Sequence, residues 1–190
     1  MESQIRQGLD LGTLPVLGCN PPTGLIDSQE ALERVQQLVE SAERTGVEHA
    51  VCYVDLDDFQ RINERGGRVA GDWVLTEIGA RLLRHVRRQD AVARMGSDEF
   101  AVLLENTPLL EAIRIGRAIR DDLGGWNFVC GDGECSLAAS VGVVPILSDS
   151  SDAVEVLSAA DRACHAAREG YPARLRVATS RVLPRHAVSS

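Results

Sequence analysis

The sequence feature that most constrains the fold is an apolar segment that ends in a cluster of acids. Residues 49–56 are rich in Val, Cys, Tyr and Leu, a composition typical of a buried β-strand. The segment closes with Asp55-Leu56-Asp57-Asp58. Because successive side chains of a strand point to opposite faces, Asp55 and Asp57 are predicted to share one face. The fold must therefore bury a strand and carry two carboxylates at its end.

These carboxylates have two interpretations. Carboxylates that converge at a strand end suit Mg²⁺, a hard cation that prefers oxygen ligands. The alternative is a solvated turn after the strand, where Asp is common for its local hydrogen bonding. The acidic run alone does not decide between them.

A second acidic pair lies in Arg94-Met95-Gly96-Ser97-Asp98-Glu99-Phe100. Strands are predicted on both sides, over residues 91–95 and 100–104, so the glycine-containing segment between them predicts a hairpin turn. A carboxylate beside backbone N–H groups can bind a metal while the N–H groups hold phosphate oxygens. An ordinary polar turn is the alternative.

The rest of the chain alternates between helical and strand-like segments. Asp27 followed by Glu30 predicts a helix N-terminus, and Gly46 can end that helix. A short helix over 59–65 is predicted to break at Gly66-Gly67 before a long helix. Further helices and strands follow to a final strand at 175–178. The mixture of elements, with at least one hairpin, predicts an α/β or α+β sheet covered by helices.

Taken together, the motifs resemble the GGDEF family of bacterial cyclic di-GMP signalling. The resemblance covers about residues 20–178 and rests on several separated segments in the family's order and spacing. These are Thr23-Gly24-Leu25, Asp55-x-Asp57-x-Phe59, Asn63, Gly67, Gly71-Asp72, Gly96-Ser97-Asp98-Glu99-Phe100, Ser140-Val141-Gly142-Val143 and Ala160-Asp161.

The resemblance implies a mostly antiparallel five-stranded sheet surrounded by helices, similar to the palm of adenylate cyclases and polymerases. It also implies a Mg²⁺- or Mn²⁺-dependent diguanylate cyclase in which two domains, each holding one GTP, meet as a homodimer. Asp55, the Leu56 carbonyl and Asp98 would hold the metal, and Asp98 supported by Glu99 would be catalytic. The substrate-binding set would be Phe59, Asn63, Arg68, Asp72, Gly96, Ser97 and Arg168, with Asn63 and Asp72 on the guanine edge.

The resemblance also marks an inhibitory cyclic di-GMP site at Arg87-Arg88-Gln89-Asp90, an RxxD pattern. Arg87 would fork onto phosphate or guanine, and Asp90 would accept from guanine N–H groups. A charged helix end is the alternative, because arginine near a helix C-terminus is favourable in any case.

Several positions depart from the family pattern. Ser97 replaces the second glycine, Gln60 replaces a lysine, and Arg68 stands where histidine is usual. On the last helix Arg168 replaces lysine, and Tyr171-Pro172-Ala173 replaces a segment whose arginine binds phosphate, unless Arg174 substitutes. Lost cations would weaken GTP binding, since each charge-assisted contact is worth about 1.5–3 kcal/mol. We therefore expect a weak cyclase.

Composition limits the partners and the cellular compartment that the sequence predicts. A net charge of −8 argues against DNA or RNA as a partner. No apolar run is long enough to span a bilayer and no signal peptide is evident, so a cytoplasmic protein is expected. The five cysteines, with no CxxC pair, are expected to be reduced.

Residues 1–22 are predicted to be a leader or linker, 23–178 the domain, and 179–190 a tail or linker, with fused sensor or EAL domains in a longer protein.

Three functions remain open from the sequence. The first is an active, slow diguanylate cyclase. The second is a catalytically silent module that binds GTP or cyclic di-GMP and regulates a fused domain. The third, given least weight, is a structural or dimerisation domain.

Overall fold

Strands and helices alternate along the chain. A computed structural model describes residues 19–131, 133–170 and 174–180. In chain order the elements are β1 (Cys19–Asn20), β2 (Leu25–Ile26), α1 (Ser28–Thr45), β3 (His49–Asp57), α2 (Phe59–Arg84), β4 (Ala91–Arg94), β5 (Glu99–Leu104), α3 (Leu109–Gly124), β6 (Asn127–Cys130), β7 (Gly133–Ser136), β8 (Ala138–Ile146), α4 (Ala153–Glu169) and β9 (Leu175–Val177).

The apolar segment that ends in acids forms β3, the middle of the main sheet. All nine of its residues are buried, and it pairs antiparallel with β5 on one side and β8 on the other. The strand order is β1-β2-β4-β5-β3-β8-β9, and the pairs β2–β4 and β8–β9 are parallel, whereas the other described pairs are antiparallel. The predicted mixed α/β, mostly antiparallel sheet is confirmed. It has seven strands rather than five, because the two-residue strands β1 and β2 are too short to leave a sequence period.

The alternation of β3 divides the core into two layers. Ala50, Cys52, Val54 and Leu56 pack with α2 and α3, whereas Val51 and Tyr53 pack with α1 and α4. Asp55 and Asp57 continue the second series. Strand alternation therefore points both carboxylates toward the α4 side of the sheet.

The predicted helix signals are confirmed where they were most specific. The Asp27 carboxylate accepts from the Glu30 N–H at 2.8 Å, and Gly46 ends α1 with φ of 71°. Within α2 the predicted glycine break is a kink at Gly67, with φ of 73° and ψ of 176°. A side chain at that φ would be strained, which explains a glycine there.

The cysteine prediction is wrong for one pair. Cys130 and Cys135 form a disulfide across the β6–β7 hairpin, with Cα atoms 5.9 Å apart. Antiparallel pairing places Cys130 opposite Gly133 and Cys135 opposite Phe128, so the two cysteines flank the turn at bridging distance. Cys52 and Cys164 are buried free thiols, as expected.

The predicted boundaries fall partly outside the described residues. Of the predicted leader, β1 is described and residues 1–18 are not; of the predicted tail, residues 181–190 are not. Tyr171-Pro172-Ala173, where a family arginine is replaced, also lies outside them. Among the helices that are described, none is long and apolar enough to cross a membrane.

Candidate active site

The end of β3 and the β4–β5 turn meet at one edge of the sheet. Asp55 lies opposite Glu99 in the β3–β5 register, and the Leu56 N–H donates to the Asp98 carbonyl at 3.1 Å. These contacts bring together the four residues that the sequence assigned to metal binding and catalysis.

The turn itself is held by backbone hydrogen bonds and by one arginine. The N–H groups of Met95 and Gly96 donate to the Glu99 carbonyl at 2.8 and 3.3 Å. A Cβ at Gly96 would lie 2.6 Å from Glu99 Oε2, so a side chain at this position would displace the Glu99 carboxylate. Glycine at this position therefore leaves the Glu99 carboxylate where the structure has it.

Arg94 fixes the turn to the N-terminal segment. Its guanidinium donates to the carbonyls of Gly96 and Ser97 at 3.0 and 2.8 Å. It also donates to the Asn20 side chain at 3.3 Å and to the Pro21 carbonyl at 2.8 Å. Sequence reasoning missed this role. The only signal for it was the position of an arginine immediately before the turn.

Ser97, which departs from the family glycine, interacts directly with a catalytic candidate. It is exposed, and its hydroxyl donates to Asp98 Oδ1. The Asp98 carboxylate therefore already carries one hydrogen-bond donor from its own neighbour.

Charge repulsion and burial act together on the first acid. Asp55 is 6% exposed, and burial raises the pKa of its carboxyl above the ordinary value. Nearby Arg168 lowers that pKa, whereas Asp98 and Glu99 raise it further. A cation bound among these acids would relieve this disfavoured charge.

Glu99 is held by a buried tyrosine. The Tyr53 hydroxyl donates to Glu99 Oε2 at 3.2 Å. Burial, and then the charge of Glu99, raise the pKa of Tyr53, so it stays a neutral donor. This contact positions Glu99 beside Asp55, its neighbour across the sheet.

Two arginines reach the acids from the far end of the chain. Arg168 on α4 lies 3.4 Å from Asp55 Oδ2 and 3.3 Å from Asp57 Oδ1, and its side chain is 45% exposed. Arg174 contacts Asp57 Oδ2, and the Ser140 hydroxyl donates to Asp57 Oδ1 at 3.3 Å. Asp57 is thus neutralised by protein groups, whereas in the described part of the chain Asp55 forms its ion pair with Arg168, whose side chain is partly exposed.

The donor set at this edge fits a hard cation. Among the described residues no three His, Cys, Asp or Glu side chains converge in a metal-binding group. The available ligands are the Asp55 and Asp98 carboxylates and the Leu56 carbonyl, all oxygen donors. Mg²⁺ keeps several waters and takes one or two carboxylates, so a site with two carboxylates and open positions suits it, and Mn²⁺ shares the oxygen preference.

The predicted guanine-reading pair lies along α2. The Asn63 side chain covers Gly71, because a Cβ built there would fall 1.9 Å from Asn63 Oδ1. Asp72 follows Gly71 directly and is part-exposed. The kink at Gly67 lies between the two halves of α2, and the Asn63 side chain lies against Gly71, the residue before Asp72.

The remaining predicted substrate residues divide between core and surface. The Phe59 side chain is buried in the core and lies beside Gly71. Arg68 is exposed just beyond the kink in α2. Neither contacts the acids through any interaction found in the described residues.

The predicted RxxD site lies at the opposite end of β4 from the Gly96–Glu99 turn. Arg87 is exposed, and its backbone N–H donates to Asp90 Oδ2 at 2.8 Å. The other carboxylate oxygen of Asp90 accepts from the Glu105 N–H at 3.0 Å. Asp90 therefore holds the loop between α2 and β4 in addition to any ligand role.

Comparison with known proteins supports the same family. The family model described as "Diguanylate cyclase, GGDEF domain" matches residues 20–171. The chain therefore belongs to the GGDEF domain family of diguanylate cyclases.

Curated relatives and solved structures agree with that assignment. The chain is 32% identical over 145 residues to the probable diguanylate cyclase DgcE of Escherichia coli, covering 76% of the chain and 13% of DgcE. It is 30% identical to the response regulator PleD of Caulobacter vibrioides, covering 86% and 36%. The solved GGDEF domain of YfiN from Pseudomonas aeruginosa is 31% identical, with a TM-score of 0.74 and coverage of 82% and 98%. The chain thus spans about one domain of much longer relatives.

Proposed function

We propose that this domain is a metal-dependent diguanylate cyclase that condenses two GTP molecules into cyclic di-GMP. The observation that carries the proposal is the meeting of Asp55, Leu56, Asp98 and Glu99 at one sheet edge. In the reaction, the 3′-oxygen of one GTP bonds to the α-phosphorus of the other. The bond from that phosphorus to the β-phosphate oxygen breaks, and pyrophosphate leaves. A second such step closes the ring.

The residues have separate roles in this proposal. Asp98 accepts the proton of the attacking hydroxyl, and Glu99, fixed by Tyr53, supports it. Asn63 and Asp72 bind the guanine edge, because amide and carboxylate groups match its donors and acceptors. Gly96 and Ser97 lie against the phosphates. Asp55, the Leu56 carbonyl and Asp98 hold Mg²⁺ or Mn²⁺, whose charge when bound offsets that of the phosphates.

Two departures make the proposed cyclase weak. The Ser97 hydroxyl occupies Asp98 Oδ1, which lowers the availability of the proposed proton acceptor. The Arg168 guanidinium is paired with Asp55 and is therefore not available to bind phosphate. A metal ion must also compete with Arg168 for Asp55. Both effects reduce the rate without removing a required group.

The wider setting follows from the proposed reaction. Each domain supplies half of the site, so catalysis requires a homodimer. The substrate is GTP, which places the reaction in the cytoplasm. The chain spans only part of its relatives, and the bifunctional MucR of Pseudomonas aeruginosa is named as both cyclase and phosphodiesterase. We therefore propose that sensor or EAL domains flank this one.

The test is incubation of the purified domain, at high concentration, with GTP and Mg²⁺, followed by chromatography. Cyclic di-GMP is expected with the wild type and in traces only with Asp98→Ala or after chelation of the metal. Absence of product from a forced dimer that binds GTP would contradict the proposal.

A second candidate function is a silent regulatory module. The pairing of Arg168 with the acids favours it, because the domain neutralises its own site. The solved GGDEF domain of DgcB from Caulobacter crescentus, a fold match at TM-score 0.80 and 18% identity, is in complex with cyclic di-GMP. By this proposal Arg87 and Asp90 bind cyclic di-GMP and control a fused domain. Calorimetry with Arg87→Ala as control tests it, and equal affinity in both proteins would rule it out.

A further inference from the structure

The Cys130–Cys135 pair lies against the α2 hinge, which is residues 65–67 at the Gly67 kink, and not at a free surface. A Cβ at Gly66 would be 3.6 Å from the Cys130 Cβ, and a Cβ at Gly131 would be 2.7 Å from the Arg65 carbonyl. Gly131, which follows β6, therefore packs directly on Arg65, two residues before the Gly67 kink. Only glycine at Gly131, with φ of 65°, permits this approach.

At the approach of Gly131 to the Arg65 carbonyl, the hairpin has no room to move closer to α2. A disulfide holds its sulfur atoms about 2 Å apart, whereas two unbonded sulfur atoms need more than about 3.5 Å. Both cysteines are buried, at 2% and 9% exposure. Because the turn already contacts Arg65, we expect opening of the bond to shift the hairpin relative to residues 65–67 of α2. The two halves of α2 carry Asn63 and Asp72, so such a shift changes their separation.

Cys135 is nevertheless next to a pocket that can admit a small reagent. Cys135 lines a pocket of ≈ 250 Å³, together with Asp57, Arg61, Arg65 and Arg174. The Arg65 guanidinium lies 3.8 Å from Cys135 Sγ and 3.5 Å from the Glu134 carbonyl. A positive group beside sulfur stabilises a thiolate and favours exchange.

We propose that Cys130 and Cys135 form a thiol–disulfide exchange site for low-molecular-weight thiols, and that its redox state sets the α2 hinge. A thiolate bonds to the Cys135 sulfur, the disulfide breaks, and Cys130 leaves as a thiolate that takes up a proton. A second thiolate attacks the mixed disulfide and releases Cys135 beside Arg65. Two thiols are oxidised to one small disulfide, and one protein disulfide is reduced to two thiols.

Such a pair is suited to sensing. Disulfides in reducing compartments are ordinarily transient, catalytic or redox-sensing. The cytoplasm, the compartment under the proposed function, is such a reducing compartment. Cys52 and Cys164 do not compete in the exchange, because burial raises the pKa of each thiol to about 12. The Cys135 pocket adjoins the end of β3 at Asp57, but the exchange uses only the two cysteines, and its test does not require GTP turnover.

The first measurement equilibrates the protein in glutathione buffers of graded ratio, followed by alkylation and mass analysis. Cys130 and Cys135 are expected to gain and lose alkylation together, so that the reduced form carries two more alkyl groups than the oxidised form. Failure of excess oxidised glutathione to close the pair, or of excess reduced glutathione to open it, would overturn the exchange site.

The second measurement compares hydrogen exchange of the amides of residues 64–71 in the oxidised and reduced proteins. Reduction is expected to speed exchange there about tenfold or more, since local opening becomes easier. Cys130→Ser/Cys135→Ser should resemble the reduced protein under both conditions, and Cys19→Ser, which keeps the pair, should respond like the wild type. Equal rates in forms proven by mass to differ in the disulfide would overturn the coupling to α2.

Discussion

Gly71→Ala is expected to separate stability from nucleotide binding. Gly71 is a buried helical residue, and the new Cβ would fall 1.9 Å from Asn63 Oδ1 and 3.4 Å from Phe59 Cζ. The Asn63 amide is the end of a flexible side chain and can rotate away. Phe59 must give by only a few tenths of an ångström. The substitution therefore displaces the Asn63 amide from its position beside residue 71 and leaves the fold intact.

The two effects have opposite signs. Replacing glycine by alanine inside a helix gains about 0.8–1.0 kcal/mol, part of which the Phe59 contact offsets. Loss of the proposed hydrogen bond from Asn63 to guanine costs about 0.5–1.5 kcal/mol. That loss corresponds to a fall in GTP affinity of roughly two- to tenfold. The variant should be at least as stable as the wild type and should bind GTP more weakly.

Thermal unfolding and GTP titration of the same samples test this. Gly124→Ala is the matched control, because it also lies in a helix and its Cβ would contact nothing within 4 Å. Asn63→Ala should lose as much affinity as Gly71→Ala, and the double variant should lose no more than either. Additive losses, or unchanged affinity in Gly71→Ala, would refute the placement of Asn63 on guanine.

Three further predictions concern single contacts. Because the folded-state pKa of Asp55 is raised, its ionised form destabilises the fold, and stability falls as pH rises from the usual Asp pKa through the raised one. Asp55→Asn should therefore raise Tm at pH 7 but not near pH 3, and it should abolish product. An unchanged Tm at pH 7 would contradict this. Asp90→Ala should cost about 1–3 kcal/mol in denaturant unfolding by freeing two backbone N–H groups, whereas Arg87→Ala should leave stability unchanged; equal stabilities would argue against this. Arg94→Lys cannot reproduce the four guanidinium hydrogen bonds, so it should lower cyclase activity at least about tenfold, with the fold retained by circular dichroism. Full activity would show that the turn keeps its conformation without Arg94.

Local signals in the sequence predicted local structure well. The Asp27 cap, the glycine break in α2 and the β4–β5 turn each depend on residues close together in the chain. The sharing of one face by Asp55 and Asp57 followed from strand alternation alone. The family resemblance then placed Asp98 and Glu99 beside them, and the register of β3 with β5 agrees.

Contacts between distant residues were not predictable in the same way. Arg168 and Arg174 reach Asp57 across more than a hundred residues, and only the packing of α4 and the β9 segment on the sheet brings them there. Arg94 binds Asn20 and Pro21 because the short strand β2 runs parallel to β4. Two-residue strands have no hydrophobic period, so that pairing left no signal in the sequence. The disulfide likewise depended on hairpin register.

The most direct test of the cyclase proposal is the rate of cyclic di-GMP formation by three proteins at one high concentration with GTP and Mg²⁺. The wild type should form product slowly, and Asp98→Ala should form essentially none. Ser97→Gly should be faster than the wild type, because it frees Asp98 Oδ1 from the serine hydroxyl and restores the family glycine. No product from the wild type or from Ser97→Gly, with GTP bound in both, would contradict the assignment of this sheet edge as a cyclase site.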